Sequence, residues 1–216
     1  TKSKLKLEDS KGISGLMREW EAIVVPAGSK YKTINQLLDD IKANPKLAIA
    51  GGSKATVDHV FMGLLLEKVG LKASDMNYIP YSGGGEVVTS VLGNQTVAGI
   101  SGTSEFTAQV KAGTLRVLAL SSAKPLASIK GKTLTQQGIP FVFGNWRGLS
   151  ASSSLTEAER LNWMKVVDIT RAGTKWKETL VAKDWQNLNL YGKDFVSFLA
   201  DQKKDITATL VSLGLA

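Results

Sequence analysis

The stretch "IPYSGGGEVVTSVLGNQT", from Ile79 to Thr96, joins a short apolar strand to an apolar helix through a serine and three glycines. Glycine allows a ligand or another part of the chain to come close to the backbone. The first N–H groups of the following helix lack partners within the helix, and they favour an anion. The turn at residues 82–85 could therefore hold a phosphate, an acyl intermediate or a small ligand bound by amide N–H groups.

The same strand–turn–helix order recurs from residue 22 to residue 122. Strands are predicted in five segments, and the helices between them are amphipathic or apolar: "AIVVP" (22–26), "KLAIAGGSKAT" (46–56), "YIPYSGGG" (78–85), "TVAGISGTS" (96–104) and "TLRVLALSS" (114–122). In the first helix, Thr33 and Gln36 have the spacing of a capping box, and Pro45 prevents continuation. The alternation predicts parallel strands with helices on both faces of a sheet.

The remaining chain is predicted to be mostly helical. Helices are expected at about 155–171, 174–183 and 192–213, with a candidate strand in "WQNLNL" (185–190). We expect residues 24–118 to form a self-contained α/β lobe. This lobe is the second of two, and residues 1–23 and 119–216 are then the remainder of the first lobe.

Composition narrows the chemistry. Hydrophobic residues make up 43% of the 216 residues and charged residues 21%, as in soluble globular proteins. There is no cysteine and only one histidine, His59, which argues against disulfides, a cysteine nucleophile and a histidine-based metal site. The net charge of +8 favours anionic partners.

Three predicted strands end in small polar turns, at residues 51–56, 82–85 and 101–104. Ligands of open parallel sheets bind beyond the carboxyl ends of the strands, so together these turns could line an anion pocket. The simpler alternative is that serine and glycine are present because they make good turns and helix caps.

The known phosphate and acyl-transfer motifs fit poorly. "GGSKAT" lacks the spacing of a P-loop, "GGGEVV" lacks the third glycine of G-x-G-x-x-G, and Glu86 and Glu105 would repel a phosphate. "GGSKA" and "GISGT" each lack the last glycine of G-x-S-x-G, and His59 lies inside a predicted helix. No pair of carboxylates stands out for acid–base catalysis.

Trp146 and Arg147 in "NWRGL" form another candidate binding motif. They could place an aromatic ring and a guanidinium group beside an anion. Alternatively, Trp146 is a core residue and Arg147 faces solvent.

The chain resembles the periplasmic substrate-binding receptors of tripartite tricarboxylate transporters, the Bug receptor family, from about residue 18 to the C-terminus. The segments that carry the resemblance are "VVPAGSKYKTINQLLDDIKANP", "LAIAGGSKATVDHVFMGLLLEKVG", "NYIPYSGGGEVVTSVLGNQTVAGISG", "VKAGTLRVLALSSAK", "NWRGLSAS" and "YGKDFVSFLADQKKDITATLVSLGLA". Their order and spacing over nearly the whole chain are more specific than any one of them.

The resemblance implies an α/β protein with a type II periplasmic-binding-protein fold. Such receptors have two lobes, each with a central mostly parallel sheet flanked by helices, which close on a small carboxylate in an inter-lobe cleft. They deliver it to the permease subunits of a membrane transporter, and they use no cofactor, metal or nucleic acid. By position, the implied ligand contacts are Ser53, Lys54, Thr56, Ser82, Gly83, Gly84, Ser101, Gly102 and Thr103, with Trp146 and Arg147 as further candidates.

Two departures from the family pattern affect these expectations. The strand and glycine-bearing turn with which family chains usually begin are missing here, so we expect an incomplete first lobe, and a monomer if that segment is present. Ser82 replaces a common lysine, and Lys54 and Arg147 are expected to supply charge instead. The alternatives are a ligand-sensing effector domain of the same fold class and an uncharacterised α/β enzyme.

Overall fold

A computed structural model describes residue 4 and residues 6–215, except for the side chain of Glu8. The chain forms two compact units. Unit 1 contains the residues up to Glu19 and Trp146–Thr207, and unit 2 contains Trp20–Asn145 and the residues from Ala208 onward. Among the described residues, no helix is both long and apolar enough to cross a bilayer.

The elements alternate along the chain. The strands are β1 (Ser10–Pro26), β2 (Ala48–Gly51), β3 (Asn77–Pro80), β4 (Ala98–Gly102), β5 (Leu115–Leu120), β6 (Gly144–Ser152) and β7 (Gln186–Tyr191). The α-helices are α1 (Ile34–Ala43), α2 (Val57–Lys68), α3 (Gly84–Leu92), α4 (Thr103–Lys111), α5 (Glu157–Ala172), α6 (Thr174–Lys183) and α7 (Gly192–Ser212). Short 3-10 helices cover Leu7–Asp9, Ala73–Asp75 and Thr135–Gln137.

Unit 2 is built on a sheet with the strand order β3-β2-β4-β1-β5. Strand β2 is parallel to both β3 and β4, with Ala50 opposite Ile79 and Gly99. Strand β1 is antiparallel to β4 and to β5, so β5 runs in the same direction as β2, β3 and β4. The sheet is therefore mostly parallel, as the strand–helix alternation predicts.

The exception is β1, for which the prediction of a parallel strand at residues 22–26 is wrong. The strand is antiparallel to both of its neighbours in unit 2 and extends over Ser10–Pro26. Its apolar pattern identifies a buried strand but carries no information about direction. The partners of β1 come from distant parts of the chain, so they are not joined to it by a helix that would fix a parallel crossover.

Two hydrophobic cores cover the two faces of the unit 2 sheet. On one face α1 and α2 bury large side chains, including Ile34, Leu37, Phe61 and Leu65, each with 0% exposure. On the other face α3 and α4 contribute Val87, Val91 and Phe106. Residues 141 and 143, which were expected to belong to the other lobe, pack their phenylalanine rings on Phe61 in unit 2.

Unit 1 contains the first part of β1, which pairs with β6 and is antiparallel to β7. Phe195 of α7 is fully buried against this sheet. A Cβ added to Gly12 would lie 3.0 Å from its ring, and one added to Gly148 would lie 2.6 Å from it. These glycines let the helix pack closely on the strands.

The helices predicted in the second half agree with α5, α6 and α7 to within two residues at each end. Unit 2 extends beyond the predicted lobe of residues 24–118, because residues 119–145 continue from β5 and pack on its core. Autonomous folding of residues 24–118 stays a prediction.

Candidate functional site

The parallel strands of unit 2 bring three turns to one edge of the sheet. Strand β2 lies between β3 and β4, so the turn after β2 lies between the turns that follow β3 and β4. Each turn leads directly into a helix, namely α2, α3 or α4. The N-terminal amides of these helices therefore point toward the same edge.

The first turn is held closed by its own backbone. Thr56 donates from its N–H and from its hydroxyl to the carbonyl of Ser53, at 3.2 and 2.6 Å. Tyr81 N–H donates to the Gly51 carbonyl at 2.8 Å, which links this turn to the end of β3. The side chains of Ser53, Lys54 and Thr56 are exposed, so they are accessible to a ligand.

The second turn is capped by a carboxylate of the protein. Ser82 N–H donates to Glu86 Oε2 at 2.7 Å, and Glu86 N–H donates to the Gly83 carbonyl at 3.2 Å. Gly83 has an extended backbone (φ −174°), and no heavy atom lies within 4 Å of an added Cβ. Gly84 is different, because its added Cβ would lie 2.5 Å from Glu105 Cγ. The absence of a side chain at Gly84 allows the Glu105 side chain of α4 to approach closely.

The first two turns together line a cavity of about 300 Å³. Its walls are Ser53, Lys54, Pro80, Tyr81, Ser82 and Glu86. The cavity contains one cationic and one anionic side chain, two hydroxyls and the phenol of Tyr81, whose OH donates to Ser90 Oγ at 2.9 Å. Three residues predicted from the sequence, Ser53, Lys54 and Ser82, therefore lie side by side.

The third turn contributes differently from the first two. Ser101 and Thr103 are buried, with 7% and 4% exposure, and Gly102 is partly exposed. None of the three lines the cavity of the other two turns. Contact of these residues with a ligand stays a prediction.

Behind the first turn lies a pair of buried carboxyl groups that the sequence analysis did not single out. Glu21 is 0% exposed and Asp58 is 6% exposed. Asp58 Oδ2 accepts a hydrogen bond from Gly52 N–H at 2.8 Å, and its carboxyl group also interacts with that of Glu21. Burial raises the pKa of Asp58, and the hydrogen bonds from Gly52 and with Glu21 oppose the increase. The available signal was Glu21 itself, an acidic residue within the apolar run of β1.

Two aromatic rings fix the backbone of the first turn beside these acids. Tyr78 OH donates to the Gly52 carbonyl at 2.7 Å, and its ring stacks on His59 with centroids 4.0 Å apart. His59 Nδ1 accepts from Ala55 N–H at 3.3 Å, which places the ring proton on Nε2. Burial lowers the pKa of His59, and the charge of Lys54 lowers it further. His59 is thus a neutral structural residue.

Trp146 and Arg147 lie in unit 1 and have partners there. Trp146 Nε1 donates to Gln202 Oε1 at 3.1 Å, and its ring packs edge-on against Phe198 with centroids 5.2 Å apart. Arg147 forms an ion pair of 2.8 Å with Glu19. Trp146 is a packing residue of unit 1, and the charge of Arg147 is balanced within the same unit. Their contact with a ligand stays a prediction.

Comparison with known proteins identifies the family. The sequence model of one protein family, described as the tripartite tricarboxylate transporter family receptor, matches residues 2–215. The chain belongs to this family. A relative from Cupriavidus necator, the UPF0065 protein in the gbd 5′ region, is 29% identical over 200 residues, which are 90% of this chain and 59% of that protein. The chain thus spans about three fifths of the length of this curated relative.

Solved structures share the fold. A TctC solute-binding protein from Polaromonas is 21% identical with a TM-score of 0.76, and the match covers 99% of this chain and 72% of that one. An R. palustris protein with adipate is 15% identical with a TM-score of 0.78 over 96% and 70% of the chains. MatC from Rhodopseudomonas palustris with bound malate is 14% identical with a TM-score of 0.72 over 99% and 73%. The receptors of this fold and family are solute-binding proteins.

Proposed function

We propose that this chain is the ligand-binding part of a periplasmic receptor that binds a small carboxylate and delivers it to the permease subunits of a tripartite transporter. The observation that carries the proposal is the cavity between the turns after β2 and β3, where Ser53, Lys54 and Ser82 converge. Membership of the receptor family supports the role in transport.

The donors at this cavity suit a carboxylate. Ser53 and Ser82 offer hydroxyls, and Lys54 offers an ammonium group. The start of α3 adds amides that have no partner within the helix and the positive end of its dipole. Gly83 leaves open space at this helix start, so a ligand oxygen can approach the backbone.

Nearby acids limit the charge of the ligand. Glu86 lines the cavity, and the Glu105 side chain contacts Gly84 in the adjacent turn. One carboxylate in the cavity lining and another in the adjacent turn disfavour a phosphate or a tricarboxylate, since like charges repel at short range. A mono- or dicarboxylate meets this limit. Adipate and malate, which two of the solved structures contain, are both dicarboxylates.

The other predicted contacts belong to the same proposal. Thr56 and Gly84 would act through the backbone at the starts of α2 and α3. Ser101, Gly102 and Thr103 would act from the start of α4, and Trp146 and Arg147 from unit 1.

A thermal-shift panel of carboxylates, nucleotides, sugars and amines tests the ligand class. A ligand at 100 times its Kd should add about 2.7 kcal/mol to the free energy of unfolding. We expect shifts with mono- or dicarboxylates, and no consumption of the ligand by nuclear magnetic resonance. Shifts confined to nucleotides or sugars would contradict the proposal.

A matched pair of variants tests the place of binding. Gly83→Val adds a branched side chain at an open, extended position beside Ser82, so it should leave the circular dichroism spectrum unchanged and weaken carboxylate binding at least tenfold. Gly28→Val is the control, because Gly28 is also exposed with no atom within 4 Å of an added Cβ. Equal affinities for the two variants would exclude the second turn from the site.

A further inference from the structure

A second cavity lies at the opposite edge of the unit 2 sheet. Strand β1 runs against β4, so its carboxyl end meets the start of β5 at the edge away from the three turns. The cavity has a volume of about 560 Å³, within the range of small-molecule sites. It is formed by the ends of these strands, the start of α1, the end of α4 and the segment at residues 130–132.

The floor of this cavity is apolar and well fixed. Leu115 and Val117 of β5 are buried in one core, and Val110 of α4 packs on the same core and is partly exposed. The segment at residues 130–132 is held against β5, because the Lys132 carbonyl accepts from Leu120 N–H at 2.9 Å. A Cβ added to Gly131 would lie 2.6 Å from Val117 Cγ1, so this segment packs closely on the strand.

The rim carries positive charge. Its charged residues are Lys32, Arg116, Lys130 and Lys132, and no described aspartate or glutamate lines the cavity. Arg116 donates to the carbonyls of Tyr31 (2.9 Å), Ser29 (3.3 Å) and Ala27, and these neutral acceptors fix its guanidinium without cancelling its charge. None of these four cations forms an ion pair with a described aspartate or glutamate.

Two other cavities of unit 2 contain balanced charges. The cavity of the candidate carboxylate site pairs Lys54 with Glu86 in its lining. A third cavity, beside Tyr31, contains Lys30, whose ammonium group lies 2.6 Å from Asp40. Uncompensated positive charge over an apolar floor therefore distinguishes the cavity at β5.

We propose that this cavity binds a small organic anion with an apolar body, such as an aromatic or medium-chain carboxylate. The apolar body would lie on Leu115, Val117 and Val110, and the anionic group would lie at Lys130 and Lys132 on the rim. Burial of an apolar body contributes binding free energy in proportion to the apolar area removed from water, which inorganic phosphate cannot provide. This site is separate from the turns at the other edge of the sheet.

Calorimetry with 2-naphthoate as the probe tests the inference on the full chain. The neutral analogue 2-naphthylmethanol should bind at least tenfold more weakly, because it lacks the charge. The double variant Lys130→Glu/Lys132→Glu should weaken naphthoate binding at least tenfold. The double variant Lys46→Glu/Lys72→Glu makes the same change in net charge at exposed lysines outside the cavity, and it should bind like the unmodified protein.

A third variant, Val110→Trp, fills the cavity without changing its charge and should also abolish binding. If circular dichroism shows that this variant does not fold, the lysine variants alone test the place of binding. Absence of binding at millimolar naphthoate would overturn the inference, as would equal affinity in the two lysine variants. Binding that is lost in Gly83→Val and kept in the Lys130/Lys132 variant would assign the probe to the turns at the other edge. That outcome would overturn this inference and leave the proposed function intact.

Discussion

The buried Glu21 and Asp58 are the residues whose chemistry most depends on the fold. Both carboxyl groups are buried, and burial raises the pKa of Asp58. Asp58 accepts from the Gly52 amide and so supports the first turn from behind. The titration of Asp58 should therefore affect the stability of unit 2.

We expect the stability of the protein to fall as the pH rises above the ordinary carboxyl range, and Asp58 to be a cause. Its pKa is raised in the folded state from the ordinary value of 3.8, so the stabilising protonated form is fully present below that value and is lost as the pH rises through the raised pKa. Asp58→Asn cannot lose a proton and still accepts from Gly52. The free energy of unfolding of this variant, measured by urea denaturation between pH 4 and pH 8, should therefore depend less on pH.

The control for this prediction is Asp39→Asn, which changes an exposed aspartate of α1. It should show the pH dependence of the unmodified protein. The explanation fails if Asp58→Asn and Asp39→Asn have the same slope of stability against pH.

Glu86 should weaken the binding of a dicarboxylate. It lines the proposed site and holds the Ser82 amide at 2.7 Å. Glu86→Gln removes a negative charge close to the ligand, and two like charges 4 Å apart repel by about 1 kcal/mol in water. We expect calorimetry to give a Kd about fivefold lower for the variant. Glu178→Gln, at an exposed position of α6, is the control and should leave the Kd unchanged. A higher Kd in Glu86→Gln would contradict the prediction, because it would show that this carboxylate assists binding.

At the residue scale, the sequence was sufficient to predict which turns lie together. It was insufficient to predict which side chains pack beside those turns. Ser53, Lys54 and Ser82 could be brought together because parallel strands end at one edge of a sheet. The close approach of Glu105 to Gly84 depends on the packing of α3 beside α4, which no local pattern specifies. Glu21 was missed because its neighbour, Asp58, is 37 positions away in the chain.

At the scale of elements, helix ends were predictable because they depend on local hydrogen bonds. The capping box of α1 is confirmed, since Thr33 Oγ1 accepts from Gln36 N–H at 3.4 Å and Gln36 Oε1 accepts from Thr33 N–H at 3.3 Å. The direction of β1 was not predictable, because strand pairing over long separations leaves no local pattern.

Helix α5 should depend on Arg171, which is 8% exposed. Its guanidinium donates to the carbonyls of Leu188 (2.7 Å) and Gly15 and to the Tyr191 hydroxyl, so it joins the helix to β7 and β1 within unit 1. Arg171→Met leaves two buried carbonyls without this donor. We expect a loss of about 1–3 kcal/mol in the free energy of unfolding by urea denaturation. Lys165→Met changes an exposed cation on the same helix and should cost less than 0.5 kcal/mol, roughly the size of typical surface effects. Equal losses would exclude the predicted role of Arg171.

At the scale of the whole molecule, the order of strands and helices was predictable. The positions at which the chain passes from one unit to the other were not. The alternation of strands and helices fixed the α/β class, and the family match over residues 2–215 agrees with it. The units exchange chain at residues 19–20, 145–146 and 207–208. All three positions lie within strands or helices, namely β1, β6 and α7, and not in a linker that would mark a boundary.

The central claim is that the cavity between the first two turns of unit 2 binds a small carboxylate. Its most direct test is a titration of the ¹⁵N-labelled chain with malate and with adipate, followed through amide chemical shifts. We predict that the largest saturable shifts occur at residues 53–54 and 82–84, with little change at residues 130–132 of the second cavity. Shifts confined to other parts of the chain, or no saturable shift with either dicarboxylate at millimolar concentration, would contradict the claim.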